Sequence, residues 1–306
     1  MHFVIPFAAP PVDAGPAALQ GLALPALRAL LARLALAARS SGDAYALSMP
    51  HERALAAALG WEGADGTLPW AARAAAADGL DTGDLAWGLL SPVHWQVGRE
   101  HLTMGDPDAL GLDAAESRAF VDALRPLFES EGWLLAWGAP TRWYLAHESL
   151  ATLPTASPER VIGRNPDLWL PDHPHAKPLK RLVSEVQMLL HSHPLNAARE
   201  ADGRDPLNSV WLSGCGPRQP DRAPAPQVLD ALRAPALRGD LDGWRAAWQA
   251  LDAGALSAAL AQAEPPTLTL CGERDAQTFE PRARGWWTAL RARFASPDPA
   301  ALLAGL

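Results

Sequence analysis

The chain has 306 residues, enough to bury a large core, and its 49% hydrophobic and 20% charged content is that of a soluble globular protein. A net charge of −8 with no basic run argues against a nucleic-acid surface, yet leaves room for a local cationic pocket that holds a small anion. Two cysteines, Cys215 and Cys271, are too few for a disulfide framework and point to a reducing compartment, the cytoplasm.

The N-terminus, MHFVIPFAAPPVDAG, has no basic residue ahead of its apolar run and breaks at Pro10-Pro11, so residues 2–8 read as a strand and not as a secretion signal. In residues 22–40, LALPALRALLARLALAARS, the leucines recur at helical spacing and predict one buried helix. No apolar run reaches the ~18 residues that a membrane span needs. Residues 44–48 suggest a second strand, and Pro50 fits the first turn of a helix that ends at Leu59 before Gly60. A Gly/Asp-rich stretch then runs to about residue 83. Residues 86–97 look strand-like on both sides of Pro92, and a turn-rich loop follows.

Asp113 and Glu116 have capping-box spacing, and Phe120, Leu124, Leu127 and Phe128 mark the apolar face of the helix they open, with Pro126 near its end. Residues 133–137 and 142–147 read as two strands around a Gly138-Ala-Pro140 turn. A helix over 178–193 carries Leu179, Leu182, Val183, Val186 and Leu190 on one stripe and stops at Pro194. The strand 207–212 leads into a Gly214-Cys215-Gly216 turn, and residues 217–226, PRQPDRAPAP, form a proline-rich connector. Beyond it come two or three Ala/Leu/Trp helices, a strand over 267–271 and a closing helix with Trp286 and Trp287.

Residues 182–216, LVSEVQMLLHSHPLNAAREADGRDPLNSVWLSGCG, concentrate His, Asn, Arg and Trp at spacings that no simple amphipathic element requires. The segment resembles the pattern His-Pro-Val-Asn-x-x-Arg-x-x-x-Gly-x-x-Pro-Ala-Asn-x-Ile-Trp-Leu-Trp-Gly-x-Gly of the archaeal-type cofactor-independent phosphoglycerate mutases. The matches are His193, Pro194, Asn196, Arg199, Gly203, Pro206, Asn208, Trp211, Leu212, Gly214 and Gly216. Weaker echoes are Gly138-Ala-Pro-Thr141-Arg142, with Thr in place of Tyr, the altered Asn165-Pro166-Asp167, and a loose match over 106–116. The resemblance implies an α/β fold: a reduced alkaline-phosphatase-like core from residues 1–90 and 218–306, with an inserted α+β substrate-type domain at 91–217. It also implies ligand roles for Arg142, His193, Asn196, Arg199, Asn208 and Trp211, with the ligand a small phosphorylated or carboxylate compound.

The catalytic half departs from that family, whose members use a serine nucleophile and two metal ions held by an N-terminal Asp-Gly pair and Asp/His clusters. Here the first strand ends in Phe7-Ala-Ala-Pro10, Ser48-Met-Pro-His51 sits out of register with the serine motif, and no histidine follows His193. The segments PVHWQVG, HPLN…NSVWLSGCG and LCGER bring the whole chain closer to bacterial RpfE-type regulatory proteins and short mutase-like proteins. Three readings therefore stand. One is a catalytically degenerate mutase relative that acts as a regulatory or small-anion-binding protein, with no metal or other cofactor. The second is an active mutase or phosphatase-type enzyme that takes a divalent ion (Mn, Mg or Zn). The third is a protein-interaction module with a regulatory partner and Trp-rich faces.

Several side chains carry two readings each. His193, Asn196 and Arg199 suit an anion site at a helix junction or a purely structural turn. His191 with His193, and His173 with His175, have weak metal-ligand spacing against an ordinary surface role. Cys215 between glycines has the placement of an exposed nucleophile or of a small residue in a tight turn, and Cys271 reads as core. Trp95, Trp143 and Trp211 are candidates for an aromatic groove, against core packing. Glu273, Arg274 and Asp275 at a strand's carboxyl end, and Arg282 with Arg284, admit ligand or phosphate readings against a solvated loop.

Overall fold

The computed structural model describes residues 1–11, 14–98, 102–170, 172–282 and 298–306, so the expected helix around Trp286 and Trp287, and Arg284 with it, lies outside the described residues. The architecture is mixed α/β, and its contacts divide the chain into two units: Met1–Ala44, Met49–Gly60 and Asp221–Leu306 in one, Tyr45–Ser48 and Trp61–Pro220 in the other. Among the described residues no helix is long and apolar enough to cross a membrane.

The first unit is built on a five-stranded sheet. Strand β1 (His2–Ile5) lies between β9 (Gln227–Val228) and β10 (Thr267–Cys271), parallel to both. Then β11 (Ala276–Pro281) pairs antiparallel with β10, and β2 (Leu34–Ser40) closes the edge against β11. The apolar β1 and β10 bury nearly every residue, as central parallel strands require. Around the sheet stand α1 (Pro25–Arg33), α2 (Pro50–Leu59), α8 (Arg233–Leu237), α9 (Leu241–Leu251), α10 (Ser257–Leu260) and α11 (Pro299–Ala304).

Two expectations for the N-terminal residues fail. The helix predicted for residues 22–40 ends at Arg33, and Leu34–Ser40 becomes an edge strand whose last six residues are exposed, because pairing with β11 outweighs alanine's helical propensity. Residues 44–48 form no strand; the Leu47 and Ser48 amides instead donate to the Asp65 carboxylate at 2.6 and 2.9 Å within the second unit. Buried Asp252 accepts from the Ala26 and Leu27 amides at 3.0 and 2.7 Å and so satisfies the orphan donors that open α1. The indoles of Trp244 and Trp248 donate to the Phe7 and Ala8 carbonyls at 2.9 and 3.2 Å, which places both tryptophans in the core and holds Phe7 at a φ of 54°.

The second unit carries a four-stranded antiparallel sheet ordered β6 (Leu134–Ala139), β7 (Arg142–Ala146), β3 (Ala86–Val93), β8 (Ser209–Pro217). The period-2 alternation of β7 sorts its side chains: Trp143 and Leu145 face a core with α4 (Ala114–Ser130) and α6 (Ala176–His191), while Tyr144 and Ala146 face α3 (Trp70–Ala77). Short α5 (Pro158–Val161), α7 (Pro194–Ala201) and the ribbon of β4 (Trp95–Val97) with β5 (Leu102–Met104) complete the unit.

The domain boundary expected at 90/91 falls inside β3, and residues 61–90 belong to the second unit, where α3 packs Ala71, Ala72 and Ala75 on the sheet. The Gly214-Cys215-Gly216 turn is also corrected. Strand β8 continues through it to Pro217, with Gly214 and Gly216 at φ of 61° and 150° and a register shift opposite Trp87–Leu89, which is a β-bulge. A Cβ on Gly214 would lie 3.0 Å from Trp70 Cβ and 3.1 Å from the Ala71 amide nitrogen, so the bulge glycine is what lets α3 approach the sheet.

Candidate functional site

The His-Pro-Leu-Asn motif begins where α6 ends. Pro194 takes the first position of α7, where a missing N–H costs nothing, and His193 caps that helix by accepting from the Leu195 amide at Nδ1, 3.3 Å away. One turn on, Asn196 is buried and spends its side chain internally: Nδ2 donates to the Leu190 and Leu207 carbonyls at 2.8 and 2.7 Å, and Oδ1 accepts from the Leu207 amide at 2.8 Å. Arg199, with no exposed surface, donates Nε to the Asp205 carbonyl at 2.7 Å, Nη1 to Glu116 at 2.9 Å and Nη2 to the Leu110 carbonyl at 2.6 Å. Asn208 mimics a strand partner for Trp95, accepting from its amide at 2.7 Å and donating to its carbonyl at 2.9 Å. The expected anion site at this junction is thus corrected: the motif ties α6, α7, α4 and the start of β8 together, and its cation faces inward.

Glu116 explains part of that outcome. Asp113 caps α4 as expected, accepting from the Glu116 amide at 2.8 Å, but the Glu116 carboxylate leaves the cap to meet Arg199 and Arg204, each at 2.9 Å. Arg142 likewise pairs inside the unit. Its Nε and Nη2 donate to Asp78 at 3.1 and 2.8 Å, and the Tyr144 hydroxyl donates to the same carboxylate at 2.6 Å. The Arg142 hydrogen bond, aided by Tyr144, holds the Asp78 carboxyl below the usual range, and burial followed by the Asp78 contact pushes the Tyr144 phenol upward. Arg142 and Arg199 therefore answer to separate carboxylates and do not form one pocket.

Cys215 is not presented as an exposed nucleophile. It points into the core from the middle of β8, fully buried, and desolvation pushes its thiol up to about 12, only partly offset by the Thr155 hydroxyl beside it. Cys271 is core, its thiol also raised to about 12 by burial. Ser48 is buried with its Oγ accepting from the Gly66 amide at 2.9 Å. The loop with Glu273, Arg274 and Asp275 is a hairpin turn between β10 and β11, closed by the Gly272 amide donating to the Asp275 carbonyl at 2.8 Å, so the strand-to-helix ligand site is withdrawn. Arg282 is committed to the Leu34 carbonyl at 2.6 Å. The rings of His173 and His175 lie edge to face, 5.1 Å apart, and His191 is exposed. The residues present do not fit the two-metal centre that the resemblance implies: among the described residues no three His, Cys, Asp or Glu side chains group so as to hold an ion.

What the second unit does offer is a cavity of about 250 Å³ between α6 and the outer half of β8, walled by Trp95, Trp211, Leu179, Val183, Val210 and Leu212. Trp211 donates its indole N–H to the Ala156 carbonyl at 3.0 Å and so presents only its ring, whereas Trp143 is fully enclosed, its indole donating to Ser117 at 2.9 Å, and is not part of the cavity wall. Lys180, Ser184 and Gln187 come from the edge of α6, and Asp167 from the loop opposite. The cavity borders a shallower depression carrying Val97 and Met188, which are 86% and 76% exposed. Of the six residues expected to bind a ligand, only Trp211 lines the cavity; Asn208 acts through Trp95 and borders the depression. Lys180, Ser184 and Gln187 belong to no motif in the sequence and flank the dominant apolar stripe Leu179-Leu182-Val186-Leu190, although their own i, i+4, i+7 spacing marks a second edge of the helix.

No protein-family model matches the chain. A segment of 138 residues, 45% of the chain, is 26% identical to the probable 2,3-bisphosphoglycerate-independent phosphoglycerate mutase of Geobacter sulfurreducens and covers 34% of it. A segment of 119 residues, 38% of the chain, is 26% identical to the 2,3-bisphosphoglycerate-independent phosphoglycerate mutase of Methanosarcina barkeri strain Fusaro and covers 30% of it. The matched segment thus spans about a third of the length of these curated relatives. Among solved structures, the cofactor-independent phosphoglycerate mutase of Thermoplasma acidophilum is matched with a TM-score of 0.37 and 15% identity over 90% of this chain and 88% of that one. The PH0037 protein of Pyrococcus horikoshii gives 0.45 and 14% over 95% and 92%. The chain is a distant relative, by sequence, of the 2,3-bisphosphoglycerate-independent phosphoglycerate mutases.

Proposed function

We propose that this chain works by binding a ligand and not by phosphoryl transfer, as a regulatory relative of the mutases. The observation that carries this reading is the inward turn of Arg199, whose three nitrogens are all taken by protein acceptors, leaving no guanidinium for a phosphate. Two further points support it: the donor set for a pair of metal ions is not assembled among the described residues, and neither Ser48 nor Cys215 is presented as a nucleophile. In this reading the first unit is a reduced remnant of a phosphatase-like layer. The resemblance to RpfE-type regulatory proteins fits a binding role.

The test is phosphorus NMR of 3-phosphoglycerate incubated with metal-stripped protein resupplied with manganese, magnesium or zinc. The expected spectrum matches a heat-treated control. Appearance of 2-phosphoglycerate or free phosphate above that control overturns the reading and restores the enzyme alternative.

A further inference from the structure

We infer that the cavity under α6 is a binding site for a small apolar monocarboxylic acid. This deepens the binding role proposed above and rests on it only in expecting a ligand at all.

The walls come first. Nine apolar residues, two of them tryptophans, line a volume just below that of pockets for drug-sized ligands, and a cavity so lined favours a small nonpolar body over water. The polar groups facing it then select the headgroup. Trp95 Nε1 is buried with no acceptor among the described residues, and a buried N–H left unpaired costs free energy that a bound oxygen recovers. The Thr155 hydroxyl, buried beside the Cys215 thiol and without a hydrogen-bond partner among the described residues, adds a second donor. Gln187 and Ser184 are already committed, to Ser209 Oγ and to the Lys180 carbonyl, each at 3.0 Å.

Charge narrows the class further. Lys180 is the cation at the rim and pairs with no carboxylate among the described residues, so this ammonium and the two buried groups, Trp95 Nε1 and the Thr155 hydroxyl, together offer donors to an anionic acceptor. Asp167 lines the same rim and opposes a second negative charge. A monoanionic carboxylate on an aliphatic or aromatic body satisfies these constraints, while a phosphomonoester dianion meets repulsion.

The experiment compares four probes that share a phenylbutyl body, 4-phenylbutyrate, 4-phenylbutanol, 4-phenylbutylamine and 4-phenylbutyl phosphate, by calorimetric titration of the intact chain. The acid is expected to bind about tenfold or more tighter than the amine, and Lys180→Met to weaken the acid about tenfold while leaving the alcohol unchanged. Trp95→Phe, which keeps an aromatic face and removes the donor, should weaken acid and alcohol alike. Val183→Trp should abolish binding of all four with the thermal transition retained. The assignment is overturned if acid and amine bind equally, if the phosphate monoester binds tighter than the acid, or if a folded Val183→Trp protein binds as before. It is also overturned if no probe binds below millimolar. Because Lys180→Met alters only a surface charge, the charge test stands even where Val183→Trp fails to fold. Turnover of 3-phosphoglycerate would overturn the non-catalytic reading and leave these titrations unaffected.

Discussion

Arg199 Nη1 and Glu116 Oε2 lie 2.9 Å apart, with the arginine side chain fully enclosed and the glutamate only 13% exposed. A charge in that position has no access to water, so its three nitrogens depend entirely on Glu116 and the carbonyls of Asp205 and Leu110. Glu116→Ala would strand the guanidinium and is expected to lower stability by about 3–5 kcal/mol in urea unfolding. Arg199→Lys should lose much of the same amount, since an ammonium cannot reach three acceptors set in a planar fork. A folded Arg199→Lys protein with the wild-type urea midpoint would show that the fork is dispensable.

The Asp78 carboxylate, gripped by Arg142 and Tyr144, supplies a pH dependence with a definite sign. Its pKa is depressed in the folded protein, so its contribution is present above the ordinary value of 3.8 and is lost as pH falls through the folded pKa. Arg142 is 47% exposed, which limits the pair to about 1 kcal/mol or less. Wild type should therefore lose slightly more stability between neutral and strongly acidic pH than Asp78→Asn does. Equal losses would remove Asp78 from the account.

Both thiols are raised to about 12, against an ordinary value of 9.0. An acid whose folded pKa is raised keeps its proton when the unfolded chain has lost it, so stability falls with rising pH between those two values. Each thiol contributes a slope of about 1.4 kcal/mol per pH unit there. At pH 8, Ellman's reagent should leave the native protein unlabelled and titrate both cysteines after denaturation. Fast labelling of one thiol in the native state would return Cys215 to the list of reactive groups.

Gly88 faces the bulge in β8. A Cβ there would sit 2.6 Å from Leu212 Cδ1 and 3.0 Å from Cys215 Sγ, and Leu212 also walls the cavity. Gly88→Ala is expected to cost about 1–3 kcal/mol through overpacking. It should also weaken 4-phenylbutyrate binding by displacing Leu212; unchanged stability and affinity would mean that the sheet absorbs the methyl group.

The parts of the fold legible from residues alone were those where period and punctuation agree. Strands β6 and β7 show alternation around a Gly-Pro turn, and α4 has a cap, a stripe and no competing strand pattern. Elements fixed by distant partners were not legible. Leu34–Ser40 continues a helical leucine spacing and becomes a strand because Ala276–Pro281 waits for it more than 200 residues later. Helix α3 is nearly all alanine and shows no stripe, and Pro194 reads as a stop although it starts α7. At the site the residue types were visible, but their direction was not. Arg199 belongs equally to an anion pocket or a buried clamp until the Leu110 and Asp205 carbonyls come to face it, whereas Trp211 needed only a sheet face to reach the cavity.

The pairing of β1 with β10, which sets His2 beside Thr267, also orders events during synthesis. All of the second unit has been translated once Pro220 emerges, while β1 of the first unit still lacks its β10 partner. Because non-local strand pairing must wait for its later half, the Trp61–Pro220 segment is expected to fold on the ribosome first. The exposed apolar strand at residues 2–5 then depends on chaperones or on speed, and chains stalled just short of β10, with Pro220 clear of the exit tunnel, should show a protease-resistant second unit behind a digestible N-terminus.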